Sequence, residues 1–236
     1  MGRRVFLCCD GLLFPSETLL VNAPPRTLDW LGVKGQLRTI HETAPQILVE
    51  AVLIGGAACL AYRALLDATE DPDFRSPIFS PAEEVILLSK DIDFANLDAS
   101  VADLVKSVPI GRLQFGVPLG SDDFRDGSRP LQLSYEDGLV FSISIADPLD
   151  LYREKDAAAV KLGRPQDRLH RAILAEFVKW ELASLAAQAE SDPIRLADYG
   201  KLRSRCRDYA PELFQDPSLL RRLAANSGLP TGFGKV

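Results

Sequence analysis

Asp91 and Asp93 stand two residues apart in Ser89-Lys90-Asp91-Ile92-Asp93-Phe94. In an extended strand, residues at that spacing leave the same face. The two carboxylates would then project together while Ile92 and Phe94 turn to the core. Carboxylates held side by side repel one another unless a cation or a shared proton relieves them. The pattern points to a divalent cation held on a sheet face. Upstream, Val52-Leu53-Ile54-Gly55-Gly56-Ala57-Ala58 reads as a short apolar strand, a Gly-Gly turn and an alanine-rich helix. Glycine lets a backbone approach a ligand closely, and a helix N-terminus offers unpaired N–H groups to an anion. A phosphate against Gly55 and Gly56, beside a cation on Asp91 and Asp93, is the economical combination.

The elements that must position these groups follow from the apolar pattern. Ile47 to Ile54 reads as a strand dense in Ile, Leu and Val, and Val85 to Phe94 as a second one carrying the acids. Between them lie the helix after Gly56 and a loop over Asp67 to Pro81 with Pro72, Pro77 and Pro81. Before them, Val5–Cys9 reads as a short strand. Thr27 or Asp29 would cap a helix bearing Leu28, Leu31, Leu37 and Ile40, with His41 a surface or capping residue near its end. Asp98 to Ser107 reads as a short helix. Leu113–Val117, Leu131–Tyr135 and Leu139–Ile145 read as antiparallel strands, the last two joined by an Asp137-Gly138 hairpin turn. From Asp147-Pro148 onward helices dominate. One runs through Val160 to a break at Gly163-Arg164-Pro165, and a long one follows over Gln166–Ala189. Two more start at Asp192-Pro193 and Asp216-Pro217.

A Gly-Gly turn at a helix start, followed by Asp-x-Asp on the next strand, resembles the signature of the nucleotidyltransferase superfamily. A narrower resemblance is to the toxin branch of AbiE-type abortive-infection systems. It rests on Ser89 two residues before Asp91, on Lys155 in Glu154-Lys155-Asp156-Ala157-Ala158-Ala159, and on Asp167 in Arg164-Pro165-Gln166-Asp167. The resemblance implies an α+β fold: a nucleotidyltransferase-like mixed sheet with flanking helices over residues 1–146, then a helical C-terminal domain over 147–236. It implies Asp91, Asp93, Lys155 and Asp167 as catalytic residues, Gly55, Gly56, Ser89 and Lys155 as nucleotide-binding, and Mg2+ or Mn2+ on Asp91 and Asp93. The activity implied moves an NMP from an NTP to an acceptor hydroxyl, with RNA slightly favoured over protein as acceptor. A toxin-like role with an antitoxin-like protein partner belongs to the same resemblance.

Two features depart from the family pattern. The stretch between Gly56 and Asp91 is long, and Gln132 stands where a third strand acid would be expected. They keep open a catalytically degenerate protein of the same fold, acting as a binding or regulatory module. An unrelated α/β protein with Asp91 and Asp93 at its surface is a further alternative. Residue by residue there are plainer readings too. Lys155 would be a surface lysine paired with Glu154 or Asp156, and Asp167 a helix-start residue or a partner of Arg164 or Arg171. Ser89 would be ordinary strand polarity, and His170, which on the helix face of Asp167 could reach the site, would more simply be a solvated helix histidine. Arg195, Lys201, Arg203, Arg205 and Arg207 form a basic run that would contact RNA phosphates or pair with Asp198 and Asp208.

Composition bounds these readings. A chain of 236 residues with 47% hydrophobic and 25% charged residues is of the ordinary globular class. Its net charge of -6 excludes a general electrostatic attraction for nucleic acid, so a polyanion would need a local patch. Cys8, Cys9, Cys59 and Cys206 show no metal-binding spacing and read as reduced thiols of a cytoplasmic protein. The interrupted apolar stretch behind Arg3-Arg4 is too short for a signal core or a membrane span, so no membrane association is expected.

Overall fold

The computed structural model describes residues 27–69, 71–95, 113–115, 127–189 and 192–225. Helix α1 (Trp30–Thr43) starts at Asp29, whose carboxylate accepts the Gly32 N–H at 2.8 Å, and it buries Val33, Leu37 and Ile40. Those three repeat at four and three residues, the spacing of one helical face. His41 on its last turn stacks flat on Phe141, ring centroids 4.0 Å apart. Next come α2 (Gln46–Glu50) and β1 (Val52–Ile54). The strand expected over Ile47–Ile54 is therefore half helix. Pro45 holds helical angles and its carbonyl accepts the Leu48 N–H, so a turn starts before the apolar run can extend.

Helix α3 (Gly55–Asp67) follows β1 directly and buries Ala57, Ala58, Cys59, Leu60, Ala61, Tyr62 and Leu66. Helix α4 (Pro81–Leu87) opens with a capping box. The Ser80 hydroxyl accepts the Glu83 N–H, and the Glu83 carboxylate accepts the Ser80 N–H. Arg63 ties it to α3 through two bonds to Glu84 at 2.6 and 2.7 Å. The strand expected over Val85–Phe94 is thereby corrected. Only β2 (Ile92–Ala95) is strand, because the Ser80 cap starts a helix that the run Val85-Ile86-Leu87 completes.

Strands β3 (Leu113–Phe115), β4 (Arg129–Ser134) and β5 (Val140–Ile145) complete a five-stranded sheet in the order β3-β2-β1-β5-β4. β1 runs antiparallel to β2 and parallel to β5, and β4 and β5 form the antiparallel hairpin expected from Asp137-Gly138, with Gly138 at φ +86. β3 pairs parallel with β2, not antiparallel to its neighbour as expected. Parallel neighbours need a long connection in sequence, and β2 and β3 are separated by residues 96–112. The expected strand at Val5–Cys9, the expected helix at Asp98–Ser107 and residues 116–117 lie outside the described residues.

The remaining elements are α5 (Pro148–Leu162), α6 (Pro165–Ala189), α7 (Pro193–Tyr209), a 3-10 turn (Pro211–Gln215) and α8 (Pro217–Ala225). Asp147 and Asp192 cap α5 and α7 ahead of a proline, and Gly163 at φ +63 ends α5, all where the sequence places them. α6 packs against α3, α4, α5, α7 and α8. One hydrophobic core runs from Leu28 to Leu219 and crosses residue 147 without a break. The architecture is mixed α+β and mostly helical. Among the described residues no helix is long and apolar enough to cross a membrane.

A charged cluster fastens the helices to the sheet edge. Arg129 of β4 donates to Asp147 at 2.7 Å and to Glu181 of α6, while Arg205 of α7 donates to Asp147 at 3.2 Å and Asp150 at 2.9 Å. Burial raises the Glu181 carboxyl pKa, and the Arg129 charge opposes that rise. Removing one member strands the others in a poorly hydrated place. Arg129→Met should cost about 2–3 kcal/mol in urea unfolding, tempered by the solvent-exposed third of the arginine. A loss below about 0.5 kcal/mol would show that the cluster does not hold the two halves together.

Candidate functional site

Asp93 sits opposite Ile54 in the β1–β2 pairing, one residue from the point where β1 becomes α3. Gly55, the first residue of α3, has φ +67, and a Cβ built on it would lie 2.2 Å from Asp93 Oδ2. Glycine is required there twice, once by conformation and once by the carboxylate that occupies the side-chain space. Ile54 offers no side-chain cap to α3. The buried Asp93 carboxylate instead lies beside the positive end of the helix dipole.

Gly56 is hemmed in on two sides. A Cβ there would meet Ser89 Oγ at 3.0 Å and His170 Cε1 at 3.2 Å. Ser89 is pinned by backbone bonds to Leu28 in both directions, at 2.6 and 2.9 Å. Its hydroxyl donates to the Asp91 carbonyl at 2.7 Å and so shapes the turn into β2. What Ser89 presents to Gly56 is therefore a lone pair, not a donor. Asp91 stands just before β2, so the expectation of two acids on one strand face does not describe it.

The second group comes from the α5–α6 hairpin. Lys155, 3% exposed, places Nζ 3.5 Å from Asp167 Oδ1 and 3.3 Å from Glu154 Oε1. It is not the surface lysine of the plainer reading, though the Glu154 contact in that reading is present. Asp167 is buried against Lys155, and its Oδ2 has no hydrogen-bond partner among the described residues. His170, one helical turn on, is 1% exposed, which corrects the solvated histidine expected at that position. Its place could be read from spacing. Asp167, His170, Ile173, Leu174 and Phe177 all fall on the buried face of α6.

Electrostatics link the groups. Burial, and then the Lys155 charge, lowers the His170 pKa to about 3. The Leu87 backbone acts weakly the other way without forming a hydrogen bond of proper geometry, since neither ring nitrogen has a partner among the described residues. Burial pushes the Cys59 thiol of α3 up to about 12, while the Lys155 charge pulls it down. Gly55, Gly56, Ser89, Asp93, Lys155, Asp167 and His170 thus form one connected neighbourhood drawn from β2, α3, α5 and α6. Among the described residues no group of three or more His, Cys, Asp or Glu side chains is arranged to hold a metal.

Two other expectations resolve differently. Gln132 lies exposed on the edge strand β4, three strands from β2, so an acid there would not reach Asp93. On the other side of β2, away from Ile54, the residue that pairs with Asp93 is Gln114 of β3. The basic run does not form a face either. Arg203 is buried, Arg205 is engaged by Asp147 and Asp150, and Arg195 pairs with Asp198 at 3.7 Å, while Lys201 and Arg207 are exposed.

Gly55→Ala should destabilise by more than about 2 kcal/mol. In an Asp93→Ala background the same change should cost measurably less, because the clash with the carboxylate is gone. Additive losses in the double-mutant cycle would show that the two residues do not meet as described. A second expectation concerns acid. A lowered folded-state pKa means that His170 contributes stability above its unfolded pKa and loses it as pH falls toward about 3. His170→Leu should therefore flatten the dependence of unfolding free energy on pH between about 6.5 and 4 by up to one proton. Parallel wild-type and variant profiles would place the histidine in solvent.

Searched against family models, curated proteins and solved structures, the chain finds no match.

Proposed function

We propose that this chain is a divalent-cation-dependent nucleotidyltransferase on a nucleotidyltransferase-like fold, moving an NMP from an NTP to an acceptor hydroxyl. The observation that carries the reading is the contact of Asp93 with Gly55 at the start of α3, with Lys155 and Asp167 in the adjoining neighbourhood. A sheet acid, a glycine turn, a buried lysine and a second acid are the parts that such a transfer needs, and they belong to one place.

Asp93 on β2 and Asp91 in the turn before it carry the hard carboxylate oxygens that Mg2+ or Mn2+ takes, and they would hold the cation where their side chains converge. When bound, it would supply charge neutralisation at phosphate oxygens. The chain's own residues do the rest. The turn at Gly55-Gly56 lets a triphosphate approach the N–H groups of α3 closely. Lys155 offsets phosphate charge as a point cation once it is released from Asp167. The acceptor oxygen forms a bond to the α-phosphorus and the bond to the bridging oxygen breaks, releasing pyrophosphate. The acceptor proton passes to Asp167, whose buried Oδ2 has no hydrogen-bond partner among the described residues. Ser89 holds the turn that carries Asp91.

RNA as acceptor, an antitoxin-like partner and a cytoplasmic setting rest on the resemblance in sequence. With Arg203 and Arg205 turned inward, a protein or small-molecule hydroxyl stands level with RNA. A second reading is favoured by one observation: Lys155, Asp167 and His170 are all buried. A degenerate nucleotidyltransferase-fold module that binds or regulates without turnover would keep them as an interior polar cluster.

Purified protein with Mg2+, each α-labelled NTP in turn, and total RNA or lysate protein separates these readings. Wild type should move label to a macromolecule, and Asp93→Ala should lower the rate at least about 100-fold. Equal labelling by wild type and Asp93→Ala would remove Asp93 from the chemistry. No labelling by folded wild type would leave the non-catalytic module.

A further inference from the structure

His170 is part of no sequence motif that led to this site, and the chemistry above does not use it. It is buried, and an imidazole has two nitrogens that require partners. Neither makes a full hydrogen bond among the described residues, where the Leu87 backbone interacts with the ring only weakly, although an unsatisfied buried polar group costs about 1–3 kcal/mol. The ring edge lies against Gly56, the second residue of the 13-residue helix α3. There the helix has no side-chain cap, the backbone is stripped of side chains and the charge of Lys155 is near. We propose that His170 is a phosphate-binding residue of this site, donating a ring N–H to a phosphoryl oxygen seated at the N-terminus of α3. The inference deepens the nucleotidyltransferase reading and rests on it.

The chemistry selects this role over its rivals. Burial and Lys155 keep the imidazole neutral across the physiological range, so it is too weak a base to take the acceptor proton. A neutral imidazole still donates one strong hydrogen bond, and in a dry site it does so without adding a charge to desolvate. An anionic oxygen is the acceptor that a helix N-terminus and a lysine would bring to it.

The sequence holds two histidines, His41 and His170, so 15N-histidine labelling gives a spectrum of two imidazoles with His41 as internal reference. Inorganic tripolyphosphate with Mg2+ is the probe. On titration the His170 N–H signal should shift and exchange more slowly with water, while His41, stacked on Phe141, stays in place. His170→Leu should weaken tripolyphosphate binding about tenfold, and His170→Gln, which keeps a donor, by no more than about threefold. The spectrum of the wild type decides the matter even where the leucine variant does not fold. Tight tripolyphosphate binding with an unmoved His170 signal, or with equal affinity in a folded His170→Leu, would overturn the proposal and leave the nucleotidyltransferase reading standing. Wild type that binds neither tripolyphosphate nor any NTP would overturn both.

Discussion

The contact between a carboxylate and a missing side chain sets the terms for this molecule. Asp93 occupies the volume that a Cβ of Gly55 would fill, at a residue whose backbone already lies in the left-handed region. The β1–β2 register puts Asp93 opposite Ile54, so the acid can reach only the residue that follows, where strand turns into helix. That helix starts without a side-chain cap, and a buried acid beside its positive end is electrostatically favoured. The next residue is constrained by the same logic. Ser89 and His170 approach Gly56 from two sides, so the turn can carry no side chain without pushing one of them away.

The rest of the chain brings a second set of groups to that turn. α6 runs past α3, α4, α5, α7 and α8, and its first two turns carry Asp167 and His170 inward. Gly163 in the left-handed region reverses the chain tightly enough for Lys155 of α5 to meet Asp167 across the hairpin. Interior charge of this kind is expensive, and replacing it with apolar side chains usually costs little or gains stability. The charges that are purely architectural lie elsewhere, in the Arg129–Asp147–Glu181–Arg205 cluster, where nearly every charge faces an opposite one at hydrogen-bond distance. The neighbourhood of Gly56 leaves Asp167 Oδ2 and both His170 nitrogens without hydrogen-bond partners among the described residues, while in the architectural cluster Glu181 Oε2 alone is left so. A buried polar group without a partner costs stability, and at Gly56 several such atoms gather at one turn.

What could be read from the sequence was local. Asp29 as one of two cap candidates, Asp147-Pro148 and Asp192-Pro193 as helix starts, Gly163 as a stop and Asp137-Gly138 as a hairpin turn each act within a few residues and are present in the structure. The two strands that turned out partly helical, over Ile47–Ile54 and Val85–Phe94, are apolar runs too short to show a period of two or of 3.6. In the second case a readable signal was present, because Ser80 and Glu83 have the spacing of a capping box. That Lys155 and Asp167 belong to one site was implied by the resemblance, but neither their pairing nor their burial was legible, since both depend on how α6 packs against α3, α4 and α5. The burial of His170 could be read from its place on the apolar face of α6, but the burial of Arg203 and the pairing of Arg205 with Asp147 and Asp150 could not. Sequence spacing placed them on a helix, and only the packing of that helix decides which of them meets water.

The most direct measurement is a crystal structure of the protein soaked with a non-hydrolysable NTP analogue and Mg2+. The triphosphate should lie at the N-terminus of α3 against Gly55 and Gly56, with the cation on the Asp93 carboxylate and Lys155 turned from Asp167 toward the phosphates. A nucleotide bound elsewhere, with Asp93 still packed on Gly55 and Lys155 still on Asp167, would contradict the assignment of this neighbourhood as a nucleotidyl-transfer site.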